Sequence, residues 1–194
     1  MLRKVKKEVR ILGIDDAPFN KEYDKKVLVI ATVFRGGSYL DGLLSCNAQV
    51  DGDDATAKLI SLIKKTKHLE QLQCIMVNGI ALGGFNVIDI NQLSKKTKLP
   101  VIVVIRRIPN LDKIKKALKK IKAIYKMKLL EKAGKIHPVK IKNKHVYIQV
   151  AGISFDLAAQ IVKLTAVHSL IPEPIRIAHL IASGIILGES RGRA

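Results

Sequence analysis

The stretch of residues 11–19 constrains the fold more than any other part of the sequence. Residues 9–14 predict a short apolar strand, which ends at two consecutive carboxylates, Asp15 and Asp16, and is stopped by Pro18. Successive strand residues point to opposite faces, so both carboxylates cannot face the core, and one should lie in an open pocket. A carboxylate at the end of a buried strand is costly unless it is paired or binds a cation. The stretch therefore predicts either a metal ligand or an aspartate that caps the following turn.

Two further strands follow at short intervals and predict an antiparallel meander. Residues 27–34 are β-branched and almost continuously apolar, which is typical of a strand. Residues 35–38 have the composition of a hairpin turn, and residues 39–50 predict a third strand with a bulge at Gly42.

The period of the apolar residues changes after the third strand. Residues 57–63 carry apolar side chains at helical spacing, and the acidic cluster before them supplies N-cap candidates in Asp53 and Asp54. A second interpretation of this cluster is that Asp51 or Asp53 completes a metal site with the first strand. Residues 73–77 then predict a fourth strand.

A glycine-rich loop follows the fourth strand after Asn78. Gly79, Gly83 and Gly84 would let backbone approach a ligand closely. The loop matches neither a P-loop nor a dinucleotide-binding fingerprint, so the motif by itself identifies no ligand.

The segments beyond this loop alternate between helix and strand. Residues 87–93 predict a short helix, and residues 101–105 a strand that is apolar on both faces, as in a buried parallel strand. Residues 109–129 predict one long helix with apolar residues on one side and lysines on the other. Residues 139–150 predict a hairpin, and two helices on either side of a Pro-Glu-Pro break complete the chain.

This order of elements predicts the fold class. Three antiparallel strands are followed by two parallel strands with helices between and after them, which is the order of an α/β, ribonuclease H-like mixed sheet flanked by helices. We expect residues 1–194 to form a single domain, because this length and a hydrophobic content of 48% suit one substantial core.

The charge balance favours a polyanionic partner, and nucleic acid is the usual one. Lys and Arg number 35 against 16 Asp and Glu, which gives a formal charge of +19. Residues 113–144 hold thirteen lysines and a single acid, Glu131. Such a run is often only a solvated face, but one this one-sided repels itself and indicates phosphate contact.

The cysteines and the lengths of the apolar runs indicate in which compartment the protein is expected. Cys46 and Cys74 have no ligand spacing and predict buried free thiols in a reducing, cytoplasmic compartment. No signal peptide is expected, and no apolar run reaches about 18 residues, so we expect no membrane span. Aromatic residues make up only 4% of the chain, which argues against a base-stacking sheet surface.

Several stretches together resemble one protein family. They include Gly-Ile-Asp-Asp-Ala-Pro-Phe at residues 13–19 and Pro-Glu-Pro-Ile-Arg-Ile-Ala-His at residues 172–179. The others are residues 51–56, 78–90, 99–102 and 188–192. On these the chain is identified as a member of the archaeal endonuclease dU family, an endonuclease V-like family of the ribonuclease H-like superfamily.

The resemblance to endonuclease V itself is more distant. Its first-strand Gly-x-Asp matches Asp15, and its motif Tyr-Ile-Pro-Gly-Leu-Leu-x-Phe-Arg-Glu resembles residues 39–48. In this register Ala48 stands where endonuclease V has a metal-binding Glu, and Asn78 stands where it has an Asp.

The resemblance implies an endonuclease that depends on Mg²⁺ or Mn²⁺ and acts on deaminated nucleic acid, that is, uracil- or inosine-containing DNA or RNA. We expect Asp15, with Asp51 or Asp53, to hold one ion against the scissile phosphate, since Mg²⁺ needs only one or two carboxylates. Asp16 and Asn78 are further candidates for the same site.

The C-terminal third offers a candidate proton shuttle in His168. The alternative for His168 is a histidine favoured by the helix dipole at a helix C-terminus. We expect His179, on an apolar helix face, to be a core residue, and Glu173 to pair with Arg176 on one helical turn.

Candidate nucleic-acid contacts fall in two groups. Phe85 and Asn86 could contact an extruded base by stacking and by hydrogen bonds, and the alternative for Phe85 is a plug over the end of the sheet. The other candidates are Tyr39, Gly83, Gly84, Arg106, Lys115, Lys119, Lys122 and Lys126.

Three hypotheses for function remain open on the sequence. The first is the metal-dependent nuclease, and the second is a non-catalytic nucleic-acid-binding protein, which the residues Ala48 and Asn78 favour. The third is an assembly module whose basic face is incidental. The sequence leaves a monomer and a homodimer equally open.

Overall fold

A mixed sheet with helices on both faces organises the chain. The computed structural model describes residues 4–192. The strands are β1 (Arg10–Asp16), β2 (Lys26–Arg35), β3 (Tyr39–Gln49), β4 (Cys74–Asn78), β5 (Ala81–Leu82), β6 (Asn86–Val87), β7 (Val101–Ile105), β8 (His137–Ile141) and β9 (Lys144–Ala151). The α-helices are α1 (Ala55–Lys65), α2 (Ile90–Thr97), α3 (Leu111–Lys120), α4 (Met127–Lys132), α5 (Phe155–Thr165) and α6 (Glu173–Leu187).

Seven of these strands form one sheet in the order β3-β2-β1-β4-β7-β9-β8. The first three strands are antiparallel neighbours, and β1, β4 and β7 are parallel to one another. The hairpin of β8 and β9 extends the sheet antiparallel to β7. The predicted fold class, a ribonuclease H-like mixed sheet, is confirmed.

Helices cover both faces of this sheet, so the central strands are buried. Helices α1 and α2 pack on one face, while α5 and α6 pack on the other. Strand β1 is buried from residue 11 to residue 15, which explains its continuous apolar sequence. The carboxyl ends of the parallel strands β1, β4 and β7 meet at one edge, where ligands bind in open α/β sheets.

The bulge predicted at Gly42 lies beside that residue. Val33 pairs with Gly42, whereas Phe34 pairs with Leu40, so Asp41 is the extra residue of β3. The Asp41 carboxylate accepts hydrogen bonds from Arg35 and Arg10, and the Arg35 bond holds the pKa of Asp41 below its usual value.

The single long helix predicted for residues 109–129 is wrong. Helix α3 ends at Lys120, Lys122 adopts a left-handed conformation with φ 55°, and a 3-10 turn over Ile124–Lys126 leads into α4. The turn directs the side chain of Lys126 inward, where its ammonium group meets three backbone carbonyls. This tertiary contact overrides the helical pattern.

The helix predicted for residues 87–93 begins later, at Ile90. Residues Asn86 and Val87 pair with the short strand β5 instead, and the Asp89 side chain accepts from the Gln92 N–H as the N-cap. Asp54 does occupy the N-cap position of α1, but its carboxylate accepts from the Gln49 N–H rather than capping the helix.

The cysteines are free thiols, as predicted, although only Cys74 is fully buried and Cys46 is half-buried. Burial raises the pKa of the Cys46 and Cys74 thiols. Among residues 4–192, no helix is long and apolar enough to cross a membrane.

Candidate active site at the ends of the central strands

Asp15 is the centre of a polar cluster at the carboxyl end of β1. Its side chain is only 5% exposed. Its Oδ1 accepts from the Asp16 N–H at 3.0 Å, and its Oδ2 accepts from Asn78 Nδ2 at 3.1 Å. The same Oδ2 lies 3.0 Å from His179 Nδ1. Residues from β1, β4 and α6, distant in the chain, therefore converge on one carboxylate.

The packing of α6 explains how His179 reaches Asp15. Ile175, Ala178 and Ala182 form the buried stripe of α6, and His179 lies one helical turn beyond Ile175. The expectation that His179 is a core residue is therefore incomplete, because this histidine pairs with a buried carboxylate at the site. A polar residue on a buried helix stripe and a buried aspartate without a partner each require a hydrogen-bonding group. The sequence holds one of each in His179 and Asp15, and this could have indicated that they pair.

The hydrogen bond to Asp15 raises the pKa of His179 above its ordinary value, while partial burial opposes the shift. The other ring nitrogen, Nε2, is buried and has no hydrogen-bond partner among residues 4–192. His179 also lines a cavity of about 300 Å³ together with Arg106 and Arg176. The imidazole thus connects the Asp15 carboxylate to a cavity with a basic lining.

Asp16 faces away from Asp15 and is held by the glycine-rich loop. Its Oδ2 accepts from the Gly83 N–H at 2.9 Å. Burial, reinforced by the negative charge of Asp15, raises the pKa of Asp16 from 3.8 to about 6. The strand therefore ends in two carboxylates whose charges repel each other.

The substitution Asp16→Asn is expected to stabilise the metal-free protein at neutral pH. The pKa of Asp16 is raised in the folded state, so its contribution to stability is fully present below pH 4 and is lost as the pH rises through about 6. Above pH 6 the variant should gain at most about 3 kcal/mol in free energy of unfolding. Urea denaturation in EDTA at pH 4 and pH 7 measures this difference, and a difference independent of pH contradicts it.

The expected third acid does not join this cluster. Asp51 Oδ1 accepts from the Phe85 N–H at 2.7 Å, and the Asp53 side chain, 64% exposed, bonds the Tyr125 hydroxyl at 2.6 Å and Lys126 at 3.1 Å. Within residues 4–192, no group of three or more His, Cys, Asp or Glu residues could hold a metal ion. A tyrosine and an ammonium group engage the Asp53 carboxylate, and its role as a metal ligand stays a prediction.

His168 does not have the position expected of a proton shuttle. Its residue is exposed beyond the end of α5, and its backbone N–H donates to Glu173 Oε1 at 3.2 Å. The histidine that reaches the carboxylate of Asp15 is His179. The predicted pair of Glu173 and Arg176 is confirmed, with 2.6 Å between Arg176 Nη2 and Glu173 Oε2.

Asn86 is fully buried and cannot read the edge of a base. Its Oδ1 accepts from the Ala55 N–H, and its Nδ2 donates to the Gln49 carbonyl and to Asp54 Oδ1. Both amide hydrogens are used to join the loops. The prediction that Asn86 contacts an extruded base is therefore wrong.

The rest of the glycine-rich loop remains a candidate contact surface. Gly83 is buried and Gly84 half-buried, and a Cβ at Gly84 would clash with Asp51 Oδ1. Phe85 is half-buried beneath Lys21, whose Nζ lies 5.5 Å from the ring centroid.

The other predicted nucleic-acid contacts differ in how far their side chains are exposed. Tyr39 is 61% exposed, and its ring lies against Arg35. Arg106 is half-buried in the wall of the His179 cavity, whereas the lysine-bearing face of α3 is open to solvent. The predicted contacts Lys115, Lys119 and Lys122, on or beside α3, are exposed. Lys126 is the exception, since it is 1% exposed, and the prediction that it contacts phosphate is wrong.

A second cavity of about 470 Å³ opens beyond the end of β4. Aliphatic side chains such as Ile80, Ile105 and Met127 line most of it, and Gly79, directly after Asn78 in the chain, forms part of its wall. The buried amide of Gln149 lies in this lining and donates from Nε2 to the Gly134 carbonyl at 2.8 Å.

The family model for endonuclease dU matches residues 7–186 of this chain. The chain belongs to the endonuclease dU family. A UPF0215 protein of Methanothermobacter thermautotrophicus is 52% identical over 99% of this chain and 95% of its own length. Among solved structures, a protein from Archaeoglobus fulgidus has a TM-score of 0.82 at 42% identity, with 91% of this chain and 98% of that chain covered.

Endonuclease V shares the fold of this endonuclease dU family member. The crystal structure of Ciona intestinalis endonuclease V, in complex with a 24mer DNA containing an inosine followed by a ribo-adenosine, gives a TM-score of 0.60. Its identity is 16%, and the match covers 93% of this chain and 86% of that chain. In the family member described here, Ala48 is buried in β3, and Asn78 donates to Asp15.

Proposed function

We propose that this protein is a divalent-metal-dependent endonuclease that hydrolyses phosphodiester bonds in nucleic acid containing deaminated bases. One observation supports the proposal above all others. Asn78 and His179, from two other elements, both contact the Oδ2 atom of the buried Asp15 at the carboxyl edge of the parallel strands. Such an arrangement keeps a carboxylate in one orientation at the edge where substrates bind.

The donor atoms fit one hard divalent cation. Asp15 and the amide oxygen of Asn78 would hold the ion, and Mg²⁺ accepts one or two protein carboxylates when waters and phosphate oxygens complete its octahedron. Burial, and after it the negative charge of Asp15, raise the pKa of Asp16, and a bound cation would relieve the repulsion between the two carboxylates. When bound, such an ion lowers the pKa of a water molecule and stabilises charge on the phosphate.

The chain's own residues would position the substrate. His179 fixes the orientation of Asp15 through its Nδ1 atom, and Arg106 lies in the lining of the cavity beside it. The exposed lysines of α3 would contact phosphates farther along the strand, without reading sequence.

The cavity beyond β4 supports a deaminated base as the recognised feature. Deamination converts a ring acceptor, N3 of cytosine or N1 of adenine, into an N–H donor. Gln149 Nε2 uses one of its two N–H groups on the Gly134 carbonyl, which fixes the amide so that its Oε1 can accept a hydrogen bond. An extruded uracil or hypoxanthine would satisfy that acceptor, whereas the parent base would leave it facing another acceptor.

The proposal is tested with four oligonucleotides that differ at one position. We expect cleavage of the uracil- or hypoxanthine-containing strand with Mg²⁺ or Mn²⁺, and about a hundredfold less cleavage of the cytosine and adenine controls, as for a mismatched polar contact of about 3 kcal/mol. EDTA should abolish the activity. Equal cleavage of all four strands overturns the substrate proposal, and cleavage that persists in EDTA overturns the metal proposal.

A second candidate is a nucleic-acid-binding protein without catalysis. The replacement of two acids by Ala48 and Asn78 and the lack of a three-ligand group in residues 4–192 favour it. It requires salt-dependent binding that Mg²⁺ leaves unchanged and no cleavage of any strand. The same four oligonucleotides therefore separate the two functions.

A further inference from the structure

Lys126 is a buried ammonium group enclosed by oxygen atoms. Its Nζ donates to the carbonyls of Gly52 at 2.6 Å, Asp51 at 2.8 Å and Phe85 at 2.9 Å. It also lies 3.1 Å from Asp53 Oδ1. Three carbonyls can only accept, so all three N–H groups of an ammonium are used. A buried lysine is costly unless it is paired in this way, which indicates a specific role for the charge.

The three carbonyls belong to two loops that the sheet does not join. Asp51 and Gly52 precede α1, and Phe85 lies in the glycine-rich loop, while Lys126 comes from the lysine-rich segment of residues 111–132. This segment, which we call the basic arm, is attached through the Lys126 ammonium to both loops.

The loops in turn hold Asp16 at the site. The Asp51 N–H donates to the Gly83 carbonyl at 2.7 Å, and Asp51 Oδ1 accepts from the Phe85 N–H. The Gly83 N–H then donates to Asp16 Oδ2. Asp51 has a positive φ of 52°, a conformation that an ordinary side chain rarely adopts without such support. The contacts form a continuous path from Lys126 to Asp16.

We propose that Lys126 is a positioning residue, which fixes the two loops against Asp16 and thereby couples the basic arm to the candidate active site. This proposal rests on the proposed function for its catalytic consequence, but the loop geometry can be tested without it. Lys126 contacts the loop carbonyls rather than any reacting group, so it acts through Gly83 and Asp16.

Lys126→Met tests the proposal, because methionine fills a similar volume without a charge or a donor. Amide hydrogen exchange of Gly83 and Phe85, followed by NMR in the full chain without metal, should become about tenfold faster or more. Lys163→Met, at an exposed lysine on α5, is the matched control and should leave both amides unchanged. Unchanged protection of Gly83 and Phe85 in Lys126→Met overturns the positioning proposal.

Kinetics provides a second measurement that a merely structural role would not reproduce. For a folded Lys126→Met protein, kcat should fall about tenfold with KM nearly unchanged, whereas Lys119→Met on the open face of α3 should raise KM and leave kcat intact. In Lys126→Ala, n-propylammonium should restore kcat, and n-butanol should not. Rescue by both compounds, or a change in KM alone, overturns the proposal.

The two failures are distinguishable. If the wild-type protein cleaves no strand, the proposed function fails, and the exchange of the Gly83 and Phe85 amides still decides the role of Lys126. If the wild-type protein cleaves and Lys126→Met retains both amide protection and kcat, only the positioning proposal fails.

Discussion

Asp15→Asn is expected to reduce cleavage by about a thousandfold. Removing the carboxylate that would hold the divalent ion removes several kcal/mol of stabilisation of the transition state, and each 1.36 kcal/mol corresponds to about a tenfold change in rate. The measurement is single-turnover cleavage of a uracil- or hypoxanthine-containing strand in Mg²⁺. Binding of Mn²⁺ by calorimetry should weaken in parallel, which gives a measurement independent of catalysis.

The fold should tolerate this substitution. The Asn oxygen can still accept from the Asp16 N–H, and Asn78 can reverse its amide to face the new NH₂ group. Burial still raises the pKa of Asp16 in this variant, but the smaller contribution from the charge of Asp15 disappears, so we expect the free energy of unfolding to change by about 1 kcal/mol or less. Asp156→Asn, at an exposed acid on α5, is the matched control and should keep full activity. An Asp15→Asn protein that cleaves at the wild-type rate would exclude Asp15 as the metal-holding residue.

The sheet could be predicted because its signals are local. The apolar runs of β1 and β2 and the Gly36-Gly37 turn set the meander to within two residues of its observed bounds. The parallel strands β4 and β7 are apolar on both faces, as strands covered by helices on both sides require.

The basic arm could not be predicted because its conformation depends on a distant contact. Apolar residues continue at helical spacing through Ile121 and Ile124, yet both are about 40% exposed and the chain turns at Lys122. The turn lets Lys126 reach carbonyls 74 and 75 residues earlier and one 41 residues earlier. Periodicity carries no information about such an interaction, and a lysine in a charged run is ordinarily placed in solvent.

The candidate site also combines residues that the sequence identifies with residues that only the fold reveals. Asp15 is recognisable in the sequence as a carboxylate at the end of a buried strand, and its role as a metal ligand remains a prediction. His179 is 164 residues away in the chain and is recognised only when α6 is packed on β1. Asn86, in contrast, follows a glycine-rich loop of the kind that often binds ligands, but its amide group is used to satisfy buried backbone groups.

The packing of α6 on β1 leads to the largest expected effect on stability, at Gly13. A Cβ at this position would lie 2.5 Å from the Pro174 carbonyl oxygen and closer still to the carbonyl carbon. Backbone atoms at the first turn of a helix cannot move aside as a flexible side chain can. The Thr32 hydroxyl also donates to the Pro174 carbonyl at 2.7 Å, so a displaced helix would lose this buried bond.

Gly13→Ala is therefore expected to lower the free energy of unfolding by about 3 kcal/mol, the upper part of the range for an overpacked core. For a chain of this length the Tm should fall by about 6–12 °C. Urea denaturation and calorimetry measure both quantities. Gly184→Ala, within α6, is the matched control. In the described part of the chain, no atom beyond its neighbours and the nearby backbone of α6 lies within 4 Å of the added Cβ, so this variant should gain about 0.5–1 kcal/mol.

A folded Gly13→Ala protein should also disturb the site, because the same helix carries His179. Movement of α6 away from β1 separates His179 Nδ1 from Asp15 Oδ2, so the raised pKa of His179 should return toward its ordinary value. An NMR titration of the imidazole measures this change, and Gly184→Ala should leave the titration unaltered. Wild-type stability together with an unchanged His179 pKa in Gly13→Ala would mean that β1 and α6 do not approach as closely as Gly13 and Pro174 indicate. If the pKa changes together with the loss of stability, then one glycine, by admitting a helix to the central strand, determines both the core packing and the environment of the Asp15 carboxylate.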